Sequence, residues 1–171
     1  MEKNTKNDNF YLYWIDLTKV KRMLSFPFQL DTIGCSYIEK DSYTGEHIGG
    51  MEIALRMRGD EKYSVDVFDD CKIKNEYPHL MIQREGVHHE YVYNKPRETF
   101  FMIYNPKMEQ AFDEFGVKKN DISWPITITP DIVALMDELK SYFPIYEQLG
   151  VADKIDVAAW NLFTKIFLQK P

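Results

Sequence analysis

The chain has 171 residues, a formal net charge of −6 and a hydrophobic fraction of 44%, which indicates one well-buried globular domain, with or without an appended helical part. The acidic balance argues against a nucleic-acid-binding surface, because such surfaces carry a basic stripe. The compact basic cluster of Lys19, Lys21 and Arg22 is interpreted as a solvated turn or edge strand. No apolar run approaches the ~20 residues of a membrane-spanning helix, so we expect no membrane contact.

Short strand patterns fill the chain from residue 10 to about residue 105. Residues 1–9 are polar, and we expect them to be frayed. Residues 41–50 have the composition of a loop, and Gly34 is a candidate bulge. The strand-like stretches are 10–14, which could instead be an arm over an apolar surface, then 32–38, 51–58, 62–67, 71–74 and 98–104.

The stretch 78–93 predicts two short strands joined by a tight turn. Gly86 supplies the turn, since glycine adopts positive φ without a Cβ penalty. Alternation then places His89, Tyr91 and Tyr93 on one face of the second strand. With the other strand-like stretches, at roughly ten-residue spacing, this pattern indicates an antiparallel sandwich or barrel.

From Pro106 onward the hydrophobic period becomes helical. A helix is expected over 107–115, another after the start signal Thr129-Pro130-Asp131, and a last one capped by Asp153. The apolar stripe of the last helix fits both packing within the monomer and a dimer seam. The residues predicted for the dimer seam are Ala158, Ala159, Leu162 and Ile166.

Cofactor and catalytic motifs are lacking in the sequence. Four histidines occur, and no spacing unites them into the roughly three ligands that a catalytic metal needs. Adjacent strand residues such as His88 and His89 point to opposite faces, so they cannot hold one ion together. The sequence has no nucleophile motif and no phosphate-binding loop. We therefore expect no metal, no cofactor and no catalytic residues.

The start of the chain and the two cysteines indicate a cytoplasmic protein. The first residues are polar and do not resemble a signal peptide. Cys35 and Cys71 form no CxxC pair, so reduced, buried thiols are the simplest interpretation.

A histidine and a tyrosine on one strand face give the best candidate for ligand binding. His89 and Tyr91 would present donors and acceptors over an apolar floor, which suits an uncharged polar ligand, although a satisfied core pair fits equally well. Arg56 could anchor an anionic ligand from inside a barrel, but the pattern of its strand favours an outward position. The candidate set is completed by Tyr93, Tyr37 and Trp14, the last on an arm that could close a pocket mouth.

These residues carry a family resemblance. The pattern Gly86-x-x-His89-x-Tyr91 resembles a strand of the cupin-like sensor domains of AraC-type transcription regulators. The order of the preceding strands is also similar, and the helical region resembles the linker of that family, so the resemblance spans most of 30–168. Glu85 replaces the usual proline before the turn glycine, and 47–50 stand where an arginine is common.

The resemblance implies a mostly β protein with C-terminal helices: a cupin or jelly-roll antiparallel barrel over 10–105, followed by two or three helices of a linker and dimerisation region over 106–171. It implies an effector-binding domain of a bacterial regulator that senses a small molecule, for example a sugar, and forms a homodimer through its C-terminal helices. DNA would be contacted only by a helix-turn-helix part absent from this chain. The alternatives are a stand-alone cupin enzyme, such as an isomerase acting on a sugar or small acid, and a structural dimerisation module without a ligand.

Overall fold

The computed structural model describes residues 10–171, which contain ten β-strands and three α-helices. The strands are β1 (Tyr11–Asp16), β2 (Leu30–Ile38), β3 (Asp41–Glu46), β4 (Glu52–Gly59), β5 (Tyr63–Phe68), β6 (Cys71–Glu76), β7 (His79–Gln83), β8 (His88–Tyr93), β9 (Arg97–Tyr104) and β10 (Ser123–Pro125). The helices are α1 (Glu109–Phe115), α2 (Pro130–Tyr142) and α3 (Val151–Phe167), with 3-10 turns at Pro106–Met108 and Phe143–Ile145. None of the described helices is long and apolar enough to cross a membrane.

The strand order is that of a jelly roll. One antiparallel sheet has the order β1-β2-β9-β4-β7-β10, and the other has the order β3-β8-β5-β6. Strands β2 to β9 pass between the two sheets in the pattern of two Greek keys, which defines the eight-stranded jelly roll. This confirms the predicted fold class of an antiparallel β structure followed by helices. Over residues 10–171 the ladders form two separate sheets rather than one hydrogen-bonded ring.

The main hydrophobic core lies between the helices and the six-stranded sheet. Ile53 and Leu55 of β4 stand opposite Met102 and Phe100 of β9, and all four are buried in one cluster with apolar residues of the helices. Two faces of this sheet are therefore covered, one by helices and one by the second sheet. Because both faces are buried, β4 and β9 have few exposed positions, unlike a strand with one solvated face.

The space between the two sheets is mostly polar. Its apolar cluster is small, with Ala54, Phe68 and Met81 as the buried members. Alternation along β4 places Arg56 on the same inner face as Ala54, opposite Thr99 of β9. Between these side chains the two sheets enclose a cavity.

Two buried aspartates of α3 hold the connection between β1 and β2. Asp156 accepts hydrogen bonds from Arg22 Nε at 2.6 Å and from the backbone N–H of Leu30 at 2.9 Å. Asp153 accepts from the backbone N–H groups of Met23 and Leu24. The interpretation of Arg22 as part of a solvated cluster is therefore wrong, because its side chain is only 12% exposed.

Several predicted elements differ from the observed ones. Residues 41–50 include strand β3, which pairs with β8 along its length. Strands β7 and β8 follow each other closely but belong to different sheets, so they do not form a hairpin with each other. Gly34 lies in an unbroken β1–β2 ladder, where an added Cβ would sit 2.6 Å from the carbonyl oxygen of Tyr13. The glycine permits a close approach of strands rather than a bulge.

Cys71 is exposed, contrary to the expectation of a buried thiol.

The residues predicted for a dimer seam lie inside the monomer. Ala159, Leu162 and Ile166 are 0% exposed and Ala158 is 4% exposed, because their face of α3 packs on the sheet and on α1 and α2. Of the two interpretations of this apolar stripe, packing within the monomer accounts for all four side chains. The placement of a dimer seam at these residues is corrected accordingly.

Candidate ligand-binding cavity

A cavity of about 360 Å³ lies between the two sheets. Its walls combine aromatic rings with charged and hydrogen-bonding side chains. The lining residues are Ser36, Ile38, Asp41, Tyr43, His47, Ile48, Glu52, Arg56, Gln83, His89, Tyr91, Tyr93, Arg97, Thr99 and Phe101. Four of the six residues that the sequence suggested for a ligand are among them.

The wall from the four-stranded sheet is built on β8. His89, Tyr91 and Tyr93 all face the cavity, as alternation predicted, and Tyr43 of β3 stands opposite Tyr91. The Tyr91 hydroxyl donates a hydrogen bond to Asp41 at 2.8 Å. Burial raises the pKa of the Tyr91 phenol, so this ring presents a neutral hydroxyl at physiological pH.

The opposite wall carries two buried arginines. Arg56 Nη1 donates a hydrogen bond to Thr99 Oγ1 at 3.1 Å, and Arg97 lies two positions before Thr99 on β9. The ladder between β4 and β9 shifts between Arg56 and Arg58, which is a one-residue irregularity. This shift explains the different orientations of neighbouring arginines, because Arg56 and Arg97 face inward whereas Arg58 pairs with Glu98 outside.

A buried hydrogen-bonded chain adjoins the arginines. His89 Nε2 donates to Asp66 Oδ1 at 3.0 Å, and Ser64 Oγ donates to Asp66 Oδ2 at 2.5 Å. The imidazole of His89 also stacks on Phe68, with ring centroids 4.3 Å apart. Burial alone would raise the pKa of Asp66, but the His89 hydrogen bond and the charge of Arg56 lower it well below its ordinary value. Asp66 is therefore a carboxylate, and it fixes the orientation of His89.

Burial and the positive charge of Arg56 lower the pKa values of two neighbouring groups. Burial, together with the charge of Arg56, lowers the pKa of Arg97 to about 10, so Arg97 is still a cation at neutral pH. Burial and the same charge lower the pKa of His79 to about 4. The guanidinium carbon of Arg97 lies 3.6 Å from the ring centroid of Tyr93 and 4.8 Å from that of Tyr91, so both rings contribute cation–π attraction.

Some polar atoms around the cavity have no hydrogen-bond partner. They are the Nε atoms of Arg56 and Arg97 and Nδ1 of His89, all buried. Nε2 of the nearby His79 is also unpartnered. Buried polar groups in folded proteins are normally paired, so a cluster of unpartnered donors and acceptors at one cavity is characteristic of a site that a ligand completes.

Two predicted residues lie outside the cavity. Tyr37 occupies the face of β2 opposite to Ser36, where Arg58 lies over its ring at 5.1 Å from the centroid. Trp14 belongs to the edge strand β1 and pairs with Gly34, so the aromatic arm is part of the sheet rather than a flap. The expectation that Tyr37 and Trp14 share a site with His89 is corrected by this geometry.

The site residues predicted from the sequence do not include Arg97, Asp66 or Thr99. Their inward direction follows from period-two alternation once the faces of β5 and β9 are known. Arg97 precedes an apolar run and Asp66 stands in a run that alternates, so each had a usable signal. No group of three or more His, Cys, Asp or Glu side chains in the described part of the chain could hold a metal ion.

A second, larger depression of about 610 Å³ lies on the surface at α2 and α3. It is lined by exposed apolar side chains that include Met23, Leu24 and Leu149, and by Asp153 and Lys154. It is separate from the inter-sheet cavity, because no residue lines both.

No protein-family model matches the sequence, and a search of curated proteins gives no match. Solved structures of similar shape include the plu4264 protein of Photorhabdus luminescens, with 9% identity, a TM-score of 0.42, and coverage of 68% of this chain and 92% of that one. A cupin 2 conserved barrel domain protein of Salinispora arenicola has 15% identity and a TM-score of 0.41, and the match covers 66% of this chain and 90% of that one. A predicted oxalate decarboxylase of Thermotoga maritima has 14% identity and a TM-score of 0.40, and the match covers 56% of this chain and 81% of that one. At these levels of similarity the assignment of the fold depends on the strand order, and no activity is transferred.

Proposed function

We propose that this chain is a small-molecule sensor, the effector-binding and dimerisation domain of an AraC-type transcription regulator. The effector binds in the cavity between the two sheets. The observation that supports this most is the cluster of buried, unpartnered polar atoms on Arg56, Arg97 and His89 at a cavity of about 360 Å³. An unpaired buried polar atom costs about 1–3 kcal/mol, and a ligand that pairs these groups would remove that cost.

A sensor must also transmit ligand binding from the cavity to another part of the molecule. The inner face of β9 carries Arg97 and Thr99, and its outer face carries Phe100 and Met102, which pack in the core shared with the helices. A ligand that shifts β9 would thereby act on α3, which in turn holds the β1–β2 connection through Asp153 and Asp156. In this proposal the ligand prefers one of two arrangements of these elements and so shifts their populations.

Binding is tested by thermal unfolding of the chain with a library of sugars, sugar acids and small organic acids. For each compound that raises the melting temperature, calorimetry then compares the wild type with His89→Ala and Tyr91→Ala. The matched control is Val92→Ala, a side chain on the same strand that is 65% exposed on the opposite face. Weaker binding to both cavity variants, with the control unchanged, supports the proposal, whereas unchanged binding to His89→Ala and Tyr91→Ala contradicts the site.

Coupling is tested by hydrogen exchange of the same protein with and without the compound. We expect changed protection in α3 and in residues 17–29, none of which lines the cavity. Protection that changes only at the cavity walls would contradict the sensor proposal. The expected homodimer is tested separately by sedimentation velocity across a range of protein concentrations.

A stand-alone enzyme is the second candidate, and one observation favours it. Asp66 orients His89 through Nε2, which leaves Nδ1 without a partner, and this is the arrangement of an oriented general base. An isomerase that acts on a small acid would use such a base. NMR of each bound compound over hours decides between the candidates: turnover that Asp66→Asn and His89→Ala abolish favours the enzyme.

A further inference from the structure

We propose that the ligand of the inter-sheet cavity is a small organic monocarboxylate, whose carboxylate group lies between the guanidinium groups of Arg56 and Arg97. This inference rests on the proposed binding function and adds the class of ligand. For an inward Arg56 the sequence suggests an anionic ligand, and the structure places Arg56 inward together with Arg97. The proposal therefore departs only from the uncharged ligand suggested for His89 and Tyr91.

The charges around the cavity do not balance. Arg56 and Arg97 are 6% and 3% exposed, and the carboxylate buried beside them is that of Asp66, at 4%. Asp66 is already bonded to His89 and Ser64. Among the ion pairs of residues 10–171, none includes Arg56 or Arg97. Two buried cations therefore face one buried anion, an excess of one positive charge.

The acidic residues at the cavity rim do not remove this excess. Asp41 is exposed and accepts the hydrogen bond from the Tyr91 hydroxyl. Glu52 is half-buried and stands at the far end of β4 from Arg56, four positions away. The Asp41 carboxylate is hydrated, and Glu52 lies about 13 Å from Arg56 along the strand, so each compensates a buried guanidinium weakly.

The free donors of the arginines match a carboxylate. Each guanidinium keeps its Nε–H without an acceptor, and Arg56 directs Nη2 to the sulfur of Met81 at 3.6 Å, a weak partner. The edge formed by Nε and one Nη is the edge that binds a carboxylate in a bidentate manner. A bound monocarboxylate would occupy these donors and bring the local charge to neutrality.

The remaining wall restricts the body of the ligand. The rings of Tyr43, Tyr93 and Phe101 line the cavity, and its volume of about 360 Å³ admits a compound of modest size. A phosphate ester would bring two negative charges at neutral pH against an excess of one. The charge balance therefore favours a carboxylate over a phosphate.

The test uses matched pairs of an acid and its neutral analogue: benzoate and benzamide, lactate and lactamide, gluconate and glucose, with inorganic phosphate as a further probe. Thermal unfolding and calorimetry are run on the wild type, on Arg56→Met and on Arg97→Met. The control is Arg58→Met, which removes an arginine of the same strand whose side chain is 69% exposed. We expect an acid but not its neutral analogue to raise the melting temperature, with affinity about tenfold or more weaker in both inward variants and unchanged in the control.

A measurement without ligand supplies an independent answer. Replacing an uncompensated buried charge by an apolar side chain stabilises a protein or leaves it unchanged, so Arg97→Met should unfold at the same or a higher temperature than the wild type. A lower melting temperature for Arg97→Met would mean that the arginine has a structural role, and would overturn the proposal even if no probe binds.

Three other outcomes also overturn it. These are neutral analogues that bind as tightly as the acids, acids that bind the inward variants as well as the wild type, and phosphate that binds where no carboxylate does. Neutral analogues that bind and lose affinity in His89→Ala would leave the proposed function intact and reject only the carboxylate.

Discussion

Arg22 and Asp156 lie 134 positions apart in the chain, and their side chains form a buried ion pair with Nε 2.6 Å from Oδ2. Burial raises the pKa of Asp156, and the hydrogen bond from Arg22 opposes that rise. Because Asp156 also accepts from the backbone of Leu30, one carboxylate joins α3 to the connection between the first two strands. This contact links the C-terminal helix to the sheet whose other face carries the candidate cavity.

Replacing Asp156 should therefore destabilise the whole fold. Asp156→Ala leaves the Arg22 guanidinium buried without its partner, which typically costs about 3–5 kcal/mol in the free energy of unfolding. Urea denaturation measures the loss. The control is Asp131→Ala, which removes the exposed partner of Lys165 and should have a much smaller effect. Equal losses for the two variants would contradict a special role for Asp156.

The stability of the protein should fall between about pH 6.5 and pH 4. The pKa of His79 is lowered from 6.5 to about 4, so in this range the unfolded chain binds a proton that the folded chain does not. The stability contributed by neutral His79 is complete above the unfolded pKa and is lost as the pH falls. The shift corresponds to about 3 kcal/mol.

Chemical denaturation across this pH range tests the assignment, with His79→Gln as the comparison. We expect the variant to lose most of the slope between pH 6.5 and pH 4. The lowered pKa of Asp66 acts in a separate window, because it affects stability only below its unfolded value of 3.8. Identical slopes for the wild type and His79→Gln would rule out His79 as the source.

Asp66→Asn should destabilise the ligand-free protein by about 3 kcal/mol, since it removes the carboxylate that faces two buried guanidinium groups. The expected loss is measured by urea denaturation at pH 7. Asp69→Asn provides the control, because Asp69 is an exposed turn residue near the same strand with φ of 48°, a conformation that asparagine also tolerates. A loss no larger than that of the control would mean that the charges in the cavity are already compensated.

Leu162→Ala should reduce monomer stability without changing the oligomeric state. Leu162 is 0% exposed, so truncation leaves a cavity in the core at a cost of about 2–5 kcal/mol. Leu168→Ala is the matched control, because that leucine is 80% exposed at the end of the same helix. If sedimentation velocity shows that Leu162→Ala dissociates a dimer while its stability is unchanged, then Leu162 lies in a dimer interface after all.

The sequence was sufficient to predict the classes of the elements and most of their positions. Period-two alternation predicts β4, β5, β7 and β8, and the strand-like run 98–104 predicts β9. The start signal at Pro130 predicts the beginning of α2. The turn composition of 41–50 concealed β3, because Gly45 and Asp41 are compatible with an edge strand as well as with a loop. Local patterns do not decide which sheet each strand joins, so the tight turn between β7 and β8 predicts a hairpin that the fold does not contain.

The candidate site was predicted only in part, because alternation shows which residues share a strand face but not which strands lie side by side. His89, Tyr91 and Tyr93 share a strand face by alternation, which needs no knowledge of the tertiary structure. The direction of Arg56 depends on which face of β4 the helices cover, and Ile53 and Leu55 settle that only in the folded protein. Arg97 and Arg56 become neighbours only through the pairing of β4 with β9. The excess of positive charge between the two sheets depends on the tertiary structure, so the pattern of a single strand cannot predict it.

A small acid bound between the sheets at Arg56 and Arg97 would be visible in a crystal structure of the chain with the tightest-binding carboxylate of the panel. We predict its carboxylate oxygens within hydrogen-bond distance of both guanidinium groups, with the body of the compound against Tyr93 and Phe101. A compound bound instead in the depression at α2 and α3, or an inter-sheet cavity that excludes it, would contradict this account.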